Sequence, residues 1–285
     1  MVATTVKSGQ LELSIADIPA IPALIADAIR VLEDVGASST EIELVITRDQ
    51  ALATKILRVV NSAAYGFSRR IETVREAVVM LGGRKMRSIA GGMVTAGLYA
   101  KPVGDLLDPV SLWAHALAAS TWAMQIIEYQ RAWDAQSAVM GALLHDIGIA
   151  ILGQYATEPY ERVLKMSRDE GVDHTIIEQR ELDTTHARVG AALCASWMLP
   201  VGLTSLVHHH HSQEPPTDHA LGVLMLADHL AKVGGYKALS WDSEPVIQDG
   251  VLQSLSLEDA DLERLLEMRE SVAMRVDALI EIAKP

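Results

Sequence analysis

His145 and Asp146 stand side by side inside an otherwise apolar stretch, ALLHDIGIAIL, from Ala142 to Leu152. Burying two ionisable groups in such a run costs free energy unless they are paired, hydrogen-bonded or bound to a metal. A chain with this run must therefore fold so that polar side chains from elsewhere in the sequence meet the pair. The composition favours helices as their carriers. Phe occurs once and aromatics make up 4% of 285 residues, so Leu, Ile, Val, Ala and Met must fill the core. With 49% hydrophobic and 21% charged residues the chain suits an ordered globular protein. Its length suits one large domain or two closely joined ones.

Apolar residues recur at helical spacing along the sequence, as in Leu24, Ile25, Ala28, Ile29 and Leu32, with no convincing strand alternation. The reading is all-α. Residues 1–14 are expected to be a flexible polar tail and 15–105 an N-terminal helical subdomain of five helices. A helical core over 106–235 and a helical C-terminal extension over 236–285 should follow. Pro22 fits a first helical turn, Gly36 a helix stop, and Ser39 or Thr40 a cap. Asp108 and Pro109 begin a longer helix. The segment holding His145 is expected to be helical to that residue and interrupted around Gly148. Asp183 or Thr184 is expected to cap the helix that carries His186.

The net charge of −13 is unevenly spread. The acidic balance lies after residue 105, which makes a nucleic acid partner unlikely there, because phosphate binding needs clustered cations. The first part keeps one basic patch of Arg69, Arg70, Arg75, Arg84, Lys85 and Arg87, opposed only by Glu72 and Glu76. It reads as a solvated helix face or a docking surface. The single cysteine, Cys194, excludes an internal disulfide and reads as a small buried apolar residue. No signal peptide is evident, and no apolar run is read as reaching the roughly 18–20 residues of a membrane span. The expected compartment is the cytoplasm.

Several histidines and acids share the setting of the opening pair. His115 lies among small apolar residues in LWAHALAAS, His186 near a helix start, His208–His211 at a helix end, and Asp228 in LMLADHLA. Each belongs to a separate predicted helix, and helices of one bundle can aim such residues at one point. A mixed nitrogen and oxygen donor set suits Fe, Mn, Zn or Ni, as one or two ions, and argues against a Cys-type zinc site. Asp146 has two oxygens and could bridge two ions. The competing reading is a set of unrelated histidines, some capping helices and some hydrogen-bonded in the core. In the His208–His211 run, Leu203, Leu206 and Val207 mark the apolar side, which His210 continues. His210 and His211 should face inward, His208 and His209 outward. His174, His219 and His229 read as surface residues.

The order of His115, His145-Asp146 and Asp228 resembles the HD superfamily, and the wider pattern resembles the HDOD family of bacterial regulatory output domains. The resemblance runs from about Ile18 to Gly235 and includes ILRVVNSAAYGFSRRIETVREAVVMLG, GALLHDIGIAIL and HARVGAALCASWMLP. It implies an N-terminal helical subdomain packed on an HD-like helical bundle. It also implies a signalling role through protein contacts, usually without hydrolase activity. The related HD-GYP phosphodiesterases cut cyclic di-GMP at a two- or three-metal site. The resemblance gives their ligands matching places in His115, His145, Asp146, His186, His210, His211 and Asp228. Their HDIGK lysine is replaced here by Ile149, and their Gly-Tyr-Pro segment by SQEPPTDHA. The resemblance thus implies a regulatory module with a metal- or ligand-binding pocket, and as the alternative a metal-dependent phosphohydrolase acting on a nucleotide. Arg188 is the one candidate to stand in for the lysine. The regulatory partner, a small ligand and self-association remain open.

Overall fold

Helix builds almost the whole of this computed structural model, which describes the backbone of residues 5–8 and 11–14 and the chain over 21–99, 106–242 and 245–283. The exception is a short antiparallel hairpin in which β1 (Thr5–Ser8) pairs with β2 (Leu11–Ser14), Thr5 opposite Ser14. It replaces the flexible tail expected at 1–14 for the residues described there. The alternation Leu11-Glu12-Leu13 is too short to distinguish a strand from a tail by pattern.

Five helices follow: α1 (Ala23–Glu33), α2 (Ser39–Thr47), α3 (Gln50–Val60), α4 (Val74–Leu81) and α5 (Gly83–Thr95). Pro22 is the residue before α1 rather than in its first turn, and Asp34, not Gly36, caps its end. Ser38 caps α2, one residue ahead of the expected pair, because it forms a reciprocal capping box with Glu41. The linker between α3 and α4 is pinned by Asn61. Its amide donates to Ile71 O at 2.9 Å and its Oδ1 accepts from Ile71 N at 2.8 Å.

The second group centres on α6 (Pro109–Gln130), whose N-terminus is capped by Asp108 through the amides of Val110 and Ser111. It continues with α7 (Ser137–Leu144), α8 (Ile147–Tyr155), α9 (Thr157–Glu170), α10 (His174–Leu182), α11 (His186–Ser196), α12 (Val201–His209) and α13 (His219–Val233). Thr185 caps α11, accepting from Arg188 N; Asp183 is instead the left-handed end of α10. The break in the apolar run falls at His145 and Asp146, two residues before the expected Gly148, which lies inside α8. One short helix, α14 (Val251–Ser254), and two longer ones, α15 (Asp259–Glu267) and α16 (Arg269–Ala283), complete the chain, and α16 packs on both α3 and α6.

Trp133–Tyr155 is long and apolar enough, by composition alone, to cross a membrane, contrary to the sequence reading. Protein covers it: 94% of its most apolar window is buried inside the fold. The break at His145-Asp146 also interrupts its backbone ladder. α6, α7, α8 and α13 are buried nearly all round, and they carry His115, the His-Asp pair and Asp228. Cys194 is buried as expected, and burial pushes its thiol up to about 12.

Candidate metal centre

Four histidines meet around one carboxylate. His115 from α6 and His145 from the α7–α8 junction bring their Nε2 atoms to 3.1 Å of each other. His186 from the first turn of α11 and His210 from just after α12 do the same at 3.3 Å. Asp146 lies between the pairs. Its Oδ2 is 3.4 Å from His115 Nε2 and 3.2 Å from His145 Nε2. Its Oδ1 is 3.3 Å from His186 Nε2 and 3.5 Å from His210 Nε2. Asp228 Oδ1 joins the first pair, 3.0 Å from His115 Nε2 and 3.8 Å from His145 Nε2. All four imidazoles and Asp146 are buried.

The far nitrogen of each ring fixes its tautomer. Nδ1 of His115, His145 and His210 lies 2.8 Å from the carbonyl oxygens of Tyr236, Ala142 and Val207 respectively. A carbonyl only accepts, so these Nδ1 atoms carry the protons and donate. His186 Nδ1 likewise donates to Glu178, with Oε2 at 2.9 Å. Glu178 is itself fully buried and accepts from Tyr160 Oη at 2.7 Å and from the amide of His186 at 2.8 Å. Each neutral ring therefore turns an Nε2 lone pair toward another ring's lone pair and toward carboxylate oxygens. Acceptors facing acceptors repel unless protons or a cation lie between them.

The pKa directions follow from that crowding. Burial pulls His186 down, but Glu178 and Asp146 outweigh it and lift the ring to about 10. His115 is raised the same way, burial being overcome by Asp228 and Asp146. Burial disfavours the Asp146 carboxylate, yet His145, His186 and His210 hold it well below the usual range. His210 falls to about 4, chiefly through burial, which outweighs the hydrogen bond to Asp146. A divalent cation would replace those protons. Two nitrogens each about 2.1 Å from one ion lie about 3.0–3.4 Å apart at ordinary coordination angles, and the two observed Nε2 separations fall in that range. The donor set therefore fits a divalent metal. Rings held by carbonyls and by a carboxylate are the usual support of metal-binding imidazoles.

The structure brings together the seven residues His115, His145, Asp146, His186, His210, His211 and Asp228. His211 is the most peripheral: its ring lies 4.2 Å from that of His210 and 5.0 Å from that of His186, and it can offer a nitrogen within 4.8 Å of the donors of Asp146, His186 and His210. His208 and His209 are exposed, as the helical phase required. Arg188 does not approach the centre. It is exposed and its Nη1 donates to Gln179 Oε1 at 3.1 Å. Ile149 is fully buried in the core.

His174 corrects the surface assignment. It is 5% exposed, stacks on His186 at 5.1 Å, and neither ring nitrogen has a hydrogen-bond partner in the protein. It lines a chamber of about 200 Å³ on the open side of the centre, shared with His210, His211, Asp228, His229 and Lys232. Lys232 is the cation that sequence reasoning missed. It donates to Asp228 Oδ2 at 2.7 Å from one helical turn further along α13, and its spacing of four residues was the available signal. Glu178 and Tyr236 were also missed; their roles depend on tertiary packing and left no local pattern.

The chain resembles a protein of Treponema pallidum (strain Nichols), with 26% identity over 211 residues. The match covers 73% of this chain and 40% of that relative's length, so the chain spans less than half of it. Among solved structures, an HDOD domain protein of unknown function from Geobacter sulfurreducens aligns with a TM-score of 0.76 at 22% identity, over 93% of each chain. A proposed phosphohydrolase from Shewanella amazonensis SB2B aligns with a TM-score of 0.70 at 19% identity, over 93% of this chain and 96% of the other. At these identities the structures share the fold. The family itself is set by the sequence, which matches the HDOD domain over residues 18–213: the chain belongs to the HDOD family.

Proposed function

We propose that this protein is a bacterial signalling module of the HDOD type that acts through protein contacts, with an HD-like pocket holding divalent metal. The carrying observation is the convergence of four Nε2 atoms on the two oxygens of Asp146, with every Nδ1 directed at an outer acceptor. His115, His145, Asp146 and Asp228 would hold one ion; Asp146, His186, His210 and His211 would hold a second. Ions there supply fixed positive charge and Lewis acidity at the mouth of the chamber. The regulatory reading is favoured by Ile149, an apolar side chain buried in the core where the catalytic relatives place a lysine. The test is a turnover assay of the metal-loaded chain on cyclic di-GMP and on a chromogenic phosphodiester. The regulatory reading expects no metal-dependent turnover; enzyme-like turnover that Asp146→Ala abolishes would refute it.

A second reading, a metal-dependent phosphohydrolase acting on a nucleotide, gains support from Lys232. Its ammonium faces the chamber and has two N–H donors beyond the one given to Asp228. Such a cation can neutralise phosphoryl oxygens as charge builds on them. This reading expects turnover that chelation removes and that Lys232→Met lowers by about 100-fold with metal still bound.

A further inference from the structure

A second cluster of unpaired donors lies at the start of α5, away from the candidate metal centre. The helix has no side-chain cap and no acidic residue in its first turn, and the residue before it, Gly82, adopts φ 81°. The first-turn amides of Gly83, Arg84 and Lys85 therefore have no carbonyl within the helix to donate to. They open on a cavity of about 430 Å³ that lies between the N-terminal helices and the end of α6, where Glu128 and Trp133 form its far wall. Arg87 lines the same cavity. Its side chain belongs to a residue only 6% exposed, yet its Nε is buried with no hydrogen-bond partner, and among the described residues no carboxylate lies within ion-pair distance. A buried N–H of a cationic group left so costs free energy unless an acceptor reaches it.

The neighbouring charges do not satisfy it. Lys85 and Glu128 are paired with each other at 3.2 Å. Arg84 is exposed and lies over the Trp133 ring at 3.8 Å. Glu33 and Asp34 act on Arg87 only through the longer-range field. Burial raises the Glu33 carboxyl to about 8, so near neutral pH it is largely uncharged. Asp34 is exposed and its Oδ1 accepts from Gly36 N at 2.8 Å. Free backbone donors, a positive helix end and the largely buried Arg87 thus line one cavity.

From this juxtaposition we infer that the cavity between α5 and the end of α6 is a binding site for the phosphoryl group of a small molecule. Arg87 would bind it through the planar guanidinium and the α5 amides through their free N–H groups. The ligand would span the N-terminal helices and the HD-like bundle, and so tie the two together. This site makes use of the Arg84–Arg87 part of the basic patch, for which the metal centre has no role.

The test is calorimetric titration of the full-length purified chain with inorganic phosphate and with adenosine monophosphate, alongside thermal melts. The wild type should bind phosphate saturably and melt at higher temperature in its presence. Arg87→Met should bind at least about tenfold more weakly and lose that rise, while melting no lower than the wild type in its absence. Arg84→Gln alters an exposed side chain and so keeps the fold; it should weaken binding severalfold. The wild type treated with a chelator should bind as the untreated chain does, which separates this site from the candidate metal centre. Tighter binding of adenosine monophosphate assigns an ester as ligand; weaker binding assigns the free ion. Absence of saturable binding by the wild type, undiminished binding by Arg87→Met, or a loss of binding on chelation instead would overturn the assignment.

Discussion

Asp146 is the residue on which the centre depends, because each of its oxygens faces a different histidine pair. Asp146→Asn keeps the shape and replaces one oxygen by an N–H donor aimed at a lone pair. The expected outcome is loss of most bound metal with the helical content unchanged, read by elemental analysis and circular dichroism. Glu33 offers an independent titration. Its folded pKa of about 8 lies above its unfolded value, so below the unfolded value both states hold the proton. As pH rises toward 8 the unfolded state loses the proton first and the fold is destabilised. Allowing for its partial exposure, the loss is on the order of 2–3 kcal/mol. Glu33→Gln should match the wild type below about pH 4 and exceed its stability above about pH 8, as chemical denaturation at a series of pH values would show.

At the scale of elements, the centre depends on how closely α8 and α11 approach. A Cβ at Gly148 would lie 1.9 Å from the carbonyl oxygen of His186, a backbone atom that cannot rotate away. Gly148→Ala should therefore force the helices apart, with a loss above about 4 kcal/mol in chemical denaturation and weakened metal binding. Asp108→Ala, which removes the α6 cap, should cost about 1 kcal/mol and leave metal content unchanged. The difference between those two outcomes separates a contact that builds the site from one that only starts a helix. Element identity was legible in the sequence because helical spacing is repeated over many residues, as in α1. Cap positions were less legible. Ser38 and Thr185 each lie one residue from the expected cap, since several Ser, Thr and Asp residues compete locally and only the fold selects among them. Within the site, the His-Asp pair and the phase of His210 were legible because polar groups stood out on apolar faces. His174 was not, since it opens a polar helix and is buried only by the stacking of other elements around it.

Across the whole molecule, the last helix, α16, is linked to His115 of the candidate metal centre. Tyr236 accepts from His115 through its carbonyl, while its hydroxyl donates to Asp277 on α16 at 2.8 Å. Metal that rigidifies His115 should also rigidify this connection. Chelation should lower the melting temperature and raise amide exchange in α16, and Tyr236→Phe should uncouple the two. The most direct test of the central claim is elemental analysis of the purified chain beside Asp146→Asn. Stoichiometric divalent metal, about two ions per chain and lost in the variant, is the result expected from the two facing imidazole pairs. A wild-type chain that stays metal-free after exposure to excess Fe, Mn, Zn and Ni would contradict it.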